Sequence, residues 1–97
     1  MAIVCSNDLT AIGAMKAFKA GGIKVPEDIS IIGLDNIKLT EIVSPALTTI
    51  ELERYRIGKT AMELLLSRVK DKKLPKQTCI FKTKLVVRES TSKSREE

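Results

Sequence analysis

Residues 2–36 read AIVCSNDLTAIGAMKAFKAGGIKVPEDISIIGLDN. The run Ala2–Ser6 is apolar and β-branched, as suits a strand buried on both faces. From Leu9 to about Ala20 the pattern is that of a helix, and Gly21-Gly22 stops it by supplying the positive φ of a C-terminal cap. KVPEDIS is a loop in which Pro26 excludes further helix, and Ile29–Leu34 is a second buried strand. Strand, helix and strand within about 35 residues form a βαβ unit, which requires a parallel pair and a right-handed crossover. The fold class predicted is α/β, a Rossmann-like parallel sheet with flanking helices.

Beyond the unit, residues 35–46 are expected to be irregular, and LTTIEL (residues 47–52) a third strand. Glu53 to about Lys70 is a second long helix: Ile57, Ala61, Leu64 and Leu65 recur at helical spacing, and Arg56, Lys59, Glu63 and Lys70 mark its polar side. TCIFKTKLVVRES, from Thr78, makes one long or two short strands, and residues 92–97 are expected to fray as a disordered tail. Two helices are too few to cover both faces of a parallel sheet. The first helix is apolar almost all round, with Gly13, Lys16 and Lys19 forming one narrow polar or small stripe, so a second surface is expected over Ile12, Met15 and their neighbours.

The chain has 97 residues, 43% of them hydrophobic, which bounds it to one small domain with an aliphatic core. No apolar run approaches the roughly 20 residues of a membrane span, and Met1-Ala2 opens straight into a strand, so no membrane partner and a cytoplasmic location are expected. Cys5 and Cys79 both lie in apolar stretches and are expected to be reduced core thiols. The net charge of +5 invites a nucleic-acid reading, but the basic residues fall in KDKKLPK, KTK and the mixed tail, without aromatic platform or recognition helix. Catalysis has little to work with: the sequence has no histidine, no Cys-x-x-Cys, no phosphate-binding glycine loop and no glycine-flanked serine. No enzyme, catalytic residue, cofactor or metal site is expected.

In open parallel sheets, ligands bind beyond the carboxyl ends of the strands. The first strand ends at Ser6-Asn7-Asp8 and the second at Gly33-Leu34-Asp35-Asn36. Amides donate and accept, and carboxylates accept several hydrogen bonds, as polyols and heterocycles require. Asn7 and Asp35 are therefore the candidate ligand-binding residues, with Asp8 and Asn36 as helix cap or secondary cleft residues. The same residues also suit purely structural work, Asn7 or Asp8 as N-cap and Asp35-Asn36 as turn formers.

The ordered set AIVCSNDLTAIGAMKAFKAGGIKVPEDISIIGLDN, SPALTTIE and LVVRES resembles the C-terminal part of the effector-binding domain of LacI/GalR-type transcriptional regulators, from Ala2 to about Thr91. The resemblance implies a C-terminal portion of a type I periplasmic-binding-protein-like fold, in a regulator whose DNA-binding headpiece and most of whose N-terminal lobe are absent from this sequence. Residues 1–52 would belong to the C-terminal lobe, residues 53–82 to the N-terminal lobe, and residues 83–91 would return to the first. Glu51, Leu52 and Glu53, with Phe81 and Lys82, would lie on the lobe-crossing hinge strands. Asn7 and Asp35 match effector-contacting positions, and Ile12, Met15 and Val43 fall on the implied homodimer interface. The implied partners are a sugar-like or purine-like effector, a second copy of the chain, and DNA through the headpiece alone. Leu34 stands where the family often has an aromatic residue, which leaves the effector class open. The alternatives are a solute-binding protein of a sugar transporter and an autonomous α/β interaction module.

Overall fold

The computed structural model describes residues 1–94 of the chain. In order they form β1 (Ala2–Val4), α1 (Asp8–Ala20), β2 (Ser30–Ile32), α2 (Leu39–Ile42), β3 (Thr49–Glu51), α3 (Arg54–Lys70) and β4 (Lys84–Val86). β1 and β2 pair in parallel, with Ile3 opposite Ile31 and Val4 opposite Ile32, as a βαβ unit demands. β3 carries on the parallel sense: Gly33 N–H donates to the Thr48 carbonyl at 3.0 Å and Asp35 N–H to the Ile50 carbonyl at 2.9 Å. β4 runs antiparallel to β3, Thr49 opposite Val86 and Glu51 opposite Lys84.

The described residues fall into two compact units. Met1–Leu52 and the segment from Lys84 onward make the first, and Glu53–Thr83 make the second. In the first unit Cys5, Ala11, Met15, Ile31 and Leu47 form the core, with Ile3, Ile12, Phe18 and Val25 packed on it. Ile31 and Leu47 are wholly buried, which favours the fold by about 1.5–3 kcal/mol each. The end of α1 is a Schellman motif: Ile23 N–H donates to the Phe18 carbonyl at 2.8 Å and Gly22 N–H to the Lys19 carbonyl at 3.2 Å. Of the two glycines it is Gly22, at φ 77°, that takes up the left-handed conformation.

Residues 35–46 are less irregular than the sequence suggests, since they contain the single helical turn α2. The returning segment is threaded deeply. Ser90 is fully buried, its hydroxyl donating to the Ile31 carbonyl at 2.6 Å and accepting from Thr48 N–H at 2.8 Å. Ser92 follows with bonds to Ser30 and Pro26. The end of the expected tail, residues 95–97, lies outside the described residues.

In the second unit α3 buries none of its residues, and Met62, Leu65, Leu66 and Val69 all stand exposed. Arg56 links its start to the unit's end, bonding Glu53 at 2.7 Å and lying 5.2 Å over the Phe81 ring. The basic turn is organised by Asp71, whose carboxylate accepts from Lys73 N–H at 3.0 Å. Two expectations need correction here. Residues 78–83 form no strand, and Lys84–Val86 alone of the TCIFKTKLVVRES stretch does so. Strand propensity gains nothing without a partner edge to take its N–H and C=O groups. For the same reason Cys79 is exposed and not a core thiol, whereas Cys5 is buried, and burial pushes its thiol pKa up.

Candidate functional site

The carboxyl ends of β1 and β2 lie side by side, because Cys5 N–H donates to the Ile32 carbonyl and Asp8 N–H to the Leu34 carbonyl at 3.1 Å. Asn7 is the N-cap of α1. Its backbone is extended and its Oδ1 accepts from Thr10 N–H at 2.8 Å. The side chain is exposed, and its amide nitrogen is not used by the cap.

Asp8 is not the cap of α1, a position that Asn7 takes. Asp8 is 1% exposed, and its carboxylate faces inward. Oδ1 accepts from the Thr49 hydroxyl at 2.6 Å and Oδ2 from Ile37 N–H at 2.9 Å. One carboxylate thus ties β1, the turn after β2, and β3 together. Two donors and the amide-rich start of α1 compensate its desolvation. Gly33 is what makes room for it. A Cβ there would overlap Asp8 Oδ1 and sit 3.0 Å from Leu47 Cδ2.

Asp35 and Asn36 follow β2 at φ 125° and 62°, two successive non-glycine residues in the left-handed region. Such conformations cost on the order of 1–3 kcal/mol each and persist where the surroundings over-determine them. Asp35 N–H is held by the Ile50 carbonyl, while no described residue donates a hydrogen bond to its half-buried carboxylate. Asn36 caps no helix, since the N-cap of α2 is Lys38. Asn36 Oδ1 accepts from Arg88 at 2.8 Å and from Thr40 Oγ1 at 3.3 Å, and its Nδ2 donates to Glu51 Oε1 at 3.3 Å.

Sequence reasoning passed over Arg88, Thr40, Thr48 and Thr49. Each read as an ordinary strand, helix or loop residue, because at least one of its side-chain partners lies 13 or more residues away along the chain. Arg88 in LVVRES carried the one available signal, a cation set between two valines and a buried serine.

The three residues expected at a dimer interface meet on one surface. Ile12, Met15 and Val43, with Val25 and Pro45, line an apolar concavity of about 540 Å³, rimmed by Lys16, Lys19 and Lys24. The expected hinge residues flank the division between the units: Glu51 and Leu52 in the first, and Glu53, Phe81 and Lys82 in the second.

Residues 1–91 match the family described as periplasmic binding protein-like domain. The HTH-type transcriptional repressor PurR of Vibrio campbellii is 47% identical over 95% of the chain. The chain belongs to the LacI/GalR family. It spans about 28% of the length of that curated relative. Among solved structures, a LacI family transcriptional regulator from Enterococcus faecium with bound ribose is 33% identical, with a TM-score of 0.78, covering 94% of this chain and 34% of that one. A dimeric Lac repressor is 32% identical with a TM-score of 0.78, covering 93% of this chain and 33% of that one. Within the LacI/GalR family the chain is therefore part of the effector-binding, periplasmic-binding-protein-like domain.

Proposed function

We infer that the chain is the effector-sensing and dimerisation portion of a LacI-type regulator, and not an enzyme. A small sugar-like or nucleobase-like molecule binds in a cleft between two lobes, at the carboxyl ends of β1 and β2. Asn7 and Asp35 face it. The observation that carries this reading is the pair itself. Asn7 keeps an exposed amide nitrogen while capping α1, and Asp35 holds a carboxylate that no described residue satisfies, at adjoining strand ends. Together they offer a donor and acceptors, which hydroxyls or heterocycle edges need. The ribose bound to the Enterococcus faecium relative supports a ligand of this chemistry.

The 540 Å³ apolar concavity at Ile12, Met15 and Val43 supports a homodimer joined through α1, and the dimeric state of the Lac repressor supports the same assembly. Effector binding favours the closed lobe arrangement, with the crossings at Glu51–Glu53 and Phe81–Lys82 acting as hinge. Closure changes the spacing of a DNA-binding headpiece carried elsewhere in the polypeptide, in the cytoplasm. The change in DNA affinity equals the effector's differential affinity for the two arrangements, typically about 1–3 kcal/mol.

The test uses the intact polypeptide that carries this chain. Ribose, lactose and hypoxanthine are titrated calorimetrically, and retention of genomic DNA fragments is measured with and without each. Saturable binding of at least one probe that is weakened by both Asn7→Ala and Asp35→Ala supports the reading. Full binding in both variants would overturn the site assignment. Failure to retain any DNA fragment selectively would overturn the regulator reading in favour of a transporter-type binding protein.

A further inference from the structure

The turn that carries Asp35 does not hold itself. Asp35 and Asn36 both sit at positive φ, and neither is glycine. Asn and Asp tolerate the left-handed well better than most residues, but Asp35 at φ 125° lies well beyond it, and no described residue donates a hydrogen bond to its carboxylate. The main chain of the turn is tied by Asp35 N–H to the Ile50 carbonyl at 2.9 Å, Asn36 N–H to Thr49 Oγ1 at 3.4 Å and Ile37 N–H to Asp8 Oδ2 at 2.9 Å. The shortest bond to the Asn36 side chain comes from a guanidinium, with Thr40 and Glu51 each at 3.3 Å. Arg88 Nη1 donates to Thr40 Oγ1 at 2.6 Å and to the Leu47 carbonyl at 3.0 Å, and Nη2 donates to Asn36 Oδ1 at 2.8 Å. The side chain is 13% exposed, and Glu41 approaches Nη2 at 3.5 Å from the solvent side. Both nitrogens of the fork are thus committed, one to the segments around the turn and the other to the turn itself. A planar fork fixes direction as well as distance, which a lysine ammonium in the same place would not.

Arg88 touches Asn36, Thr40, Leu47 and Glu41, and makes no hydrogen bond to Asp35 or Asn7. Its most direct connection to the strand-end carboxylate runs through Asn36, the residue next to Asp35. Arg88 itself is supplied by the segment that follows β4, and its own N–H donates to Thr48 Oγ1 at 2.9 Å, so the guanidinium is anchored to the sheet.

We propose that Arg88 is a positioning residue for the effector site: by holding Asn36 in the left-handed conformation, it sets the direction in which the Asp35 carboxylate leaves the end of β2. The proposal rests on the reading of Asp35 as an effector contact, and its test separates the two. In the intact polypeptide, affinity for ribose, lactose and hypoxanthine is measured for Arg88→Met, Asn36→Gly and the double variant, with Asp35→Asn alongside. Arg88→Met is expected to weaken the bound probe about tenfold, a usual order for residues sharing one hydrogen-bond network. Asn36→Gly gives a residue that adopts positive φ unaided and has no side chain for Arg88 to hold. In that background Arg88→Met is expected to have no further effect. Equal losses in both backgrounds, or no loss in either, would overturn the proposal. Unchanged affinity in Asp35→Asn would instead remove the reading of Asp35 as a contact.

A measurement that needs no ligand accompanies it. Amide hydrogen exchange of Asp35 and Ile37 is expected to quicken in Arg88→Met relative to Cys5, whose N–H bonds the Ile32 carbonyl where β1 and β2 pair. Equal acceleration everywhere would mean a general loss of stability, and no acceleration would mean that the turn holds without Arg88. Either result sinks the positioning role, including where none of the three probes binds.

Discussion

Replacing Asp8 with alanine removes the acceptor shared by the Thr49 hydroxyl and the Ile37 amide. Thr49 is wholly buried, so its hydroxyl cannot turn to bulk water. An orphaned buried donor costs about 1–3 kcal/mol, and a carboxylate in the first turn of a helix contributes about 0.3–1 kcal/mol more. The expected loss for Asp8→Ala is therefore about 3 kcal/mol, a large share of the roughly 5–15 kcal/mol typical of a folded domain. Thr49→Val should cost about 1–2 kcal/mol, because it strips one donor from a carboxylate left buried. The two residues share one bond, so the double variant should fall short of the sum by about 1 kcal/mol. Urea unfolding of the four proteins, followed by far-ultraviolet circular dichroism, measures all three quantities. Asp8→Asn adds a control: its amide would turn a donor toward a donor, so a loss near that of alanine is expected. Additivity within about 0.5 kcal/mol would refute the reasoning, since it would mean that Asp8 and Thr49 do not interact in solution.

Gly33→Ala is expected to destabilise the chain by about 1–3 kcal/mol by driving a Cβ into Asp8 and Leu47, and less in an Asp8→Ala background, again read by urea unfolding. Two other glycines should respond with opposite signs: Gly13→Ala, mid-helix with open space around it, gains about 0.5–1 kcal/mol, whereas Gly22→Ala, at φ 77°, loses about 1–2 kcal/mol, both visible as shifts in the melting temperature. A thiol reagent at neutral pH should label Cys79 rapidly and Cys5 only on unfolding, which peptide mass mapping resolves. Because burial raises the folded pKa of Cys5 above its ordinary value of 9.0, its contribution is complete below that pH. It is lost as the pH climbs through the folded value, so Cys5→Ala should flatten the alkaline decline of stability.

Local pattern was enough for the βαβ unit, the glycine stop after α1 and the extent of α3, because each depends on neighbours within a few residues: a 3.6-residue period, a β-branched run, a left-handed glycine. The order of landmarks such as VPEDISIIGLDN and PALTTI was likewise enough for the family. Residues 78–83 were misread for the complementary reason, since a strand exists only where a second strand accepts its hydrogen bonds, and composition does not say where one is. The strand-end residues show the boundary between the two most plainly. That Asn7, Asp8, Asp35 and Asn36 crowd one edge of the sheet follows from a parallel pair alone. Which of them turns inward does not: Asp8 is a buried strut because Thr49 and Ile37 converge on it and Gly33 leaves the space, and Asn36 is clamped because Arg88 arrives from 52 residues further along. Pattern along the chain sufficed for β1, α1, β2, β3 and α3, for the parallel pairing of the first two strands, and for the family. Which polar side chains bind the protein to itself and which do not was settled only by the fold, because hydrogen-bond partners far apart in the chain meet only when it has folded.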